Sequence, residues 1–360
     1  MKINEERLVA SFLDLVEIDS PSGYEEKVSK YIQKQFRKIN ISFKEDLYGN
    51  LIAKIPGKYG QPLLISAHMD TYGEGGKVKT HVKGDVISSV GKDILGVDDK
   101  AGIAEILEGL NVLVENKIHH RSLEIVFTRE EKHRLLGAYK LKKVDLKAKE
   151  GLNFDRQGMG EICVAAPFVY RIDIDIKGKA AHAGNEPERG VNAIKVAAEA
   201  ITKVKLGRID KDTTNNIGVL RSGEYRRGVP ADAYIKAETR SLLKLKADKQ
   251  VTVFRKAFKS ISNHHKANVK FRAKLAVQGY RYKENDKFIK KIVETMKSVK
   301  IKSEYIISGG MSDANAFREK GIKVLDISCG GRNAHSHRES IKISEMKKVA
   351  EFLVRFCDQR

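Results

Sequence analysis

The sequence predicts an α/β protein, with a mostly parallel sheet in a larger domain and a smaller ferredoxin-like α+β domain inserted into it. Three observations carry this. Short apolar runs alternate with helix-period segments over the first 150 or so residues, as in a sheet covered on both faces. The texture changes near Pro167 to strictly alternating strands. After Gly279 the first texture returns. The expected boundaries are 1–166 with 278–360 for the larger domain and 167–277 for the insertion.

In chain order, Glu5 to Lys38 reads as two amphipathic helices. Glu5, Glu6, Asp14 and Glu17 interrupt its apolar positions at helical spacing, which suits a helix of the mature fold and not a signal peptide. Leu51 to Ile55 and Leu63 to Ala67 read as buried strands, Gly102 to Glu115 as an apolar-striped helix, and Leu123 to Thr128 and Gly151 to Phe154 as further strands. Tyr170 to Ile176 alternates apolar with charged residues, as a strand with one wet face does, and it is expected to offer a sheet edge. A helix from Gly190 to Lys205, strands at Asn216–Arg221 and Tyr234–Arg240, a basic helix from Lys249 to His265 and a strand from Val269 to Leu275 complete a β-α-β-β-α-β order.

Composition narrows the function. The chain has 360 residues, 41% of them hydrophobic, enough for two packed domains. No run of about 18 apolar residues is present, so no membrane span is expected. Three dispersed cysteines without CxxC spacing point to a reducing, cytoplasmic setting. The net charge of +21 raises the question of an anionic partner. The lysines are spread along the chain without an aromatic-interleaved basic tract, so they read as a solvated surface and no nucleic-acid partner is expected.

The candidate ligands stand just after expected strands, where an open α/β sheet places its site. They are His68-Met69-Asp70, Asp98-Asp99 before a helix, Arg129-Glu130-Glu131, Asn153-Phe154-Asp155, and His335-Ser336-His337-Arg338-Glu339. Each has an ordinary reading alone: an aspartate pair at a helix start is usually a cap. Together, oxygen and imidazole donors without cysteine suit a catalytic zinc, manganese or cobalt pair better than a structural zinc site.

In order and spacing these segments resemble the dinuclear zinc peptidases that include peptidase T, carboxypeptidase G and the aminoacylases. The resemblance extends to Gly178-Lys179-Ala180-Ala181-His182-Ala183-Gly184, to Thr213-Thr214-Asn215-Asn216-Ile217-Gly218 and to Gly309-Gly310-Met311-Ser312-Asp313. These later segments look most like the peptidase T-like tripeptidases. The resemblance implies a zinc-peptidase-like catalytic domain with an inserted lid and dimerisation domain, hence a homodimer that hydrolyses short peptides. It implies that His68 and Asp155 hold one metal, Asp98 bridges two, His335 holds the second, and Asp70 orients His68. It also implies a cis peptide between Asp98 and Asp99. His182 would stabilise the oxyanion, and Arg240 with the loop at Gly310 would receive the substrate carboxylate.

One motif departs from the pattern. Two adjacent glutamates are expected there, a general base followed by a ligand of the second metal, with a glycine close behind. Counting back from Leu135-Leu136-Gly137-Ala138 puts Glu131 at the base, Lys132 at the ligand and Arg134 at the glycine. A shifted register would make the pair Glu130 and Glu131. Lysine carries three donors and no lone pair while charged. Two readings follow: a metal-dependent exopeptidase of tripeptidase type, or a fold retained to bind an anionic ligand without hydrolysis. Arg227 and Arg332 also replace residues of other types and, with Lys132, are expected to make the site more positive.

Overall fold

The computed structural model describes residues 2–72 and 78–358. Its larger compact unit comprises 1–164, 282–307 and 312–360. The central sheet runs in the order Phe43–Glu45, Leu51–Ile55, Arg121–Thr128, Tyr59–His68, Glu150–Arg156, Lys323–Ser328 and Glu161–Ala166. Tyr59–His68 is parallel to both Arg121–Thr128 and Glu150–Arg156, and Lys323–Ser328 is parallel to Glu150–Arg156. The first two strands and Glu161–Ala166 add antiparallel pairings, giving a mixed, mostly parallel α/β sheet.

These strands form where β-branched and aromatic residues fall in short runs. Arg121–Thr128 buries every residue from Leu123 onward, as expected of a strand covered on both faces. The helix Val97–Glu115 packs against Glu5–Glu17 and Ile343–Cys357, and its fully buried centre explains its lack of a polar face. Gly102 lets this helix approach the sheet: a Cβ there would lie 2.5 Å from both Phe154 O and Asp99 Oδ1. The parallel register sets the chemistry. His68 pairs with Thr128, and Ser66 with Asn153, so the segments following three strands leave the sheet at one end.

The second compact unit comprises 165–281 and 308–311. Its five-stranded antiparallel sheet runs Gly207–Asp210, Thr213–Ser222, Asp232–Ser241, Phe168–Lys177 and Asn268–Val277. The helices Ala193–Thr202 and Lys244–His264 cover one face, burying Ile172, Ile174, Ile176, Phe254 and Phe258. The first of these helices starts later than its Gly190 expectation because Asn192 caps it, its side chain accepting from the Lys195 N–H.

One expectation fails here. The strand holding Tyr170–Ile176 lies between Asp232–Ser241 and Asn268–Val277, so it is interior and offers no edge. Alternation reports one wet face and is silent on lateral neighbours. The hairpin strand Gly207–Asp210, absent from the sequence reading, forms one edge of the sheet.

Candidate active site

His68 ends its strand fully buried, and its ring meets three carboxylates. Nε2 lies 2.8 Å from Asp98 Oδ1 and 3.6 Å from Asp155 Oδ1, and Nδ1 lies 3.3 Å from Asp70 Oδ1. Burial and the Lys132 charge push its pKa down, but Asp155, Asp70 and Asp98 prevail and hold it well above the usual imidazole value.

Asp70 is a hub. It accepts from the Ser22 hydroxyl at 2.5 Å and from the backbone N–H groups of Glu131 and Lys132 at 2.9 and 3.0 Å. Burial alone would raise its carboxyl; His68 and these donors hold it well below the usual carboxylate range.

Asp98 faces both histidines, with His335 Nε2 donating to its Oδ2 at 2.8 Å. Its peptide to Asp99 is cis, the form the resemblance implied. Neither side chain is shown capping the helix: the Asp98 oxygens face His68, His335 and Lys132, and Asp99 Oδ2 is turned to the strand end at His68. Asp99 belongs to a trio with His68 and Asp155 whose donor atoms all lie within 4.8 Å of one another. Its Oδ2 accepts from the His68 backbone N–H at 3.1 Å, and burial holds its carboxyl well above the usual range. Asp99 thus supports the strand end, while Asp98 presents its oxygens to the two imidazoles.

The loop after Thr128 decides the register of the departing motif. Glu130 turns outward: Tyr48 Oη donates to it at 3.0 Å, and its backbone N–H donates to Glu25. Glu131 is buried beside the cluster, its carboxyl pushed up to about 7, first by burial. Lys132 Nζ donates to both Asp98 oxygens, at 2.8 and 3.0 Å, and lies 3.1 Å from Glu131 Oε2. Arg134 has φ +73°, a left-handed conformation that explains why a glycine is expected there. Lys132, and not Glu130, thus faces Asp98.

His335 is 45% exposed at its side chain and stacks on Tyr72 with ring centroids 4.8 Å apart. His337 is exposed. Glu339, the buried acid of that motif, accepts from the Gly96 N–H at 2.5 Å and tethers the loop carrying Asp98. Arg332 does not add charge here, because Glu345 pairs with it at 2.5 and 2.6 Å.

Sequence reasoning missed a buried polar chain behind Asp155. Ser66 Oγ donates to Asn153 Oδ1 at 2.7 Å, Asn153 Nδ2 donates to Asp326 at 2.8 Å, and the Ser312 hydroxyl donates to the same Asp326 at 2.7 Å. Ser312 and Asn153 stood in quoted motifs. Asp326, inside an apolar strand, gave no comparable signal.

His182, Arg240 and Gly310 belong to the second unit. His182 is exposed, and its Nδ1 accepts from the N–H groups of Gly184 and Asn185. Arg240 pairs with Glu238 at 2.8 Å and donates to Gly309 O at 3.1 Å, so Arg240 and the loop at Gly310 do meet.

The donor set tests what the centre can hold. Asp98 Oδ1 and Asp155 Oδ1, both half-buried, approach the buried His68 Nε2, and this donor set suits the imidazole-and-carboxylate coordination of zinc, manganese or cobalt. A second cation does not fit in the same way. Asp98 Oδ2 and His335 Nε2 pair with each other, and an ammonium lies on Asp98 where a third donor is needed.

Residues 64–359 match the model of peptidase family M20/M25/M40. The chain is 35% identical to the Bacillus subtilis protein YqjE over 99% of both chains. Among solved structures it resembles the aminopeptidase PepT from Bacillus cereus, at 35% identity with a TM-score of 0.92, covering 99% of this chain and 98% of that one. It also resembles a tripeptidase from Staphylococcus aureus, at 31% identity with a TM-score of 0.93 over 99% of both.

Proposed function

We propose, from the premise that this chain belongs to peptidase family M20/M25/M40, that it is a metal-dependent exopeptidase removing the first residue of short peptides, tripeptides above all. The observation that carries this is the convergence of His68, Asp98 and Asp155 beside the buried carboxylate of Glu131. His68, Asp98 and Asp155 would hold a divalent ion such as zinc, which would supply Lewis acidity for the scissile carbonyl.

The other tasks fall to the chain. Glu131 takes a proton from the attacking water and returns it to the leaving amine, a task suited to a buried carboxyl beside the centre. Asp70 fixes the His68 ring and, through two backbone N–H groups, the loop that carries Glu131. His182 is assigned to the oxyanion, and Arg240 with the Gly310 loop to the substrate carboxylate, a task suited to a guanidinium fork. The binding-only reading rests on the Lys132 ammonium at Asp98, and the membership of a peptidase family with the proposed ligands of one metal favours hydrolysis over it.

The second unit, by this reading, is a lid and dimerisation module. Light scattering of the intact chain is expected to give a mass near twice 40.4 kDa; a monomer rules the dimer out. A cytoplasmic setting is supported by the three cysteines, which are buried and free of disulfides. Among the described residues no helix is long and apolar enough to cross a membrane. The function is tested with a tripeptide panel: release of the first residue is expected, and blocking the substrate's amino terminus is expected to slow it. Cleavage only inside long chains would refute an exopeptidase.

A further inference from the structure

The ammonium of Lys132 is built into the centre on all sides. Nζ contacts both oxygens of Asp98, Glu131 Oε2 at 3.1 Å and His68 Nε2 at 3.2 Å, with only 15% of the side chain exposed. The loop has little freedom to exchange Lys132 for a carboxylate. The N–H groups of Glu131 and Lys132 both bind Asp70, and Glu130, Arg134 and Leu135 all occupy left-handed backbone. A slip of one residue would break these contacts and turn each side chain to another direction.

We propose that Lys132 is a covalently attached second cation, so that the centre binds one divalent ion and uses the ammonium in place of another. This rests on the proposed function for the first ion. The ammonium can balance Asp98 and Glu131 and hold Asp98 in place. It donates hydrogen bonds but has no lone pair to give a metal. Its charge is also fixed to the chain, whereas a second metal would exchange with solvent. Lys132 is a positioning residue here, acting through Asp98.

The test is metal content of the full chain, stripped with chelator, equilibrated with excess zinc and dialysed. Wild type is expected to retain about one zinc per chain, and Lys132→Glu about two, because that substitution removes a charge and restores an oxygen donor. Circular dichroism checks that the variant is folded. Two tightly held zincs in wild type overturn the proposal and leave the exopeptidase reading standing. A folded Lys132→Glu that retains one zinc also overturns it, since something other than the ammonium then excludes the second ion. If the variant does not fold, the wild-type count decides alone. A wild type that retains none sinks the proposed function first and this inference with it.

Discussion

His68→Ala is expected to abolish metal retention and to lower peptide hydrolysis by roughly 10³-fold or more, the rate equivalent of the several kcal/mol that a catalytic metal contributes. The ring sits at the meeting point of Asp70, Asp98 and Asp155. Its removal takes away the one imidazole among the first ion's proposed ligands and deprives Asp70 and Asp155 of their contact to it, while Asp98 keeps Lys132. The metal-free variant is therefore also expected to be less stable than the metal-free wild type, because these carboxylates lose their buried positive partner. Zinc per chain, steady-state kinetics and urea unfolding read the three effects. Full zinc retention in a folded variant would show that the first ion lies elsewhere.

Glu131→Gln separates proton transfer from metal binding. The amide keeps the size of the side chain and leaves the backbone N–H donating to Asp70, so the loop is expected to hold its shape. Without a carboxylate to accept the proton, kcat is expected to fall by about 10²- to 10⁴-fold while KM changes little. Zinc content is expected to stay at the wild-type level. A variant within a few-fold of wild type would remove Glu131 from the mechanism and return attention to Glu130.

How far the sequence reached can be read from particular residues. The strand ends at His68, Thr128 and Asp155 were legible because short apolar runs stop at polar, donor-bearing residues. The order of strands was not, since Tyr59–His68 lies beside Arg121–Thr128 through tertiary packing that no local pattern encodes. The small sheet of Thr80–Lys83, Val86–Ser89 and Ser340–Lys342 went unread for a different reason: its strands are only three or four residues long, too short to show a pattern. In the centre, residue types and spacing pointed to His68, Asp98, Asp155 and His335. The choice between Glu130–Glu131 and Glu131–Lys132 depended on backbone geometry, namely the outward turn of Glu130 and the left-handed Arg134. The expected excess of positive charge was partly an illusion, because Glu345 lies ten residues beyond the motif's start and still neutralises Arg332.

The most direct test of the account is a titration of the chelator-stripped protein with zinc, following tripeptide hydrolysis and bound metal together. The account predicts no hydrolysis without metal, and a rate that rises linearly and levels off at about one zinc per chain. Undiminished hydrolysis by the stripped protein, or none with a full equivalent bound to the folded chain, would contradict it.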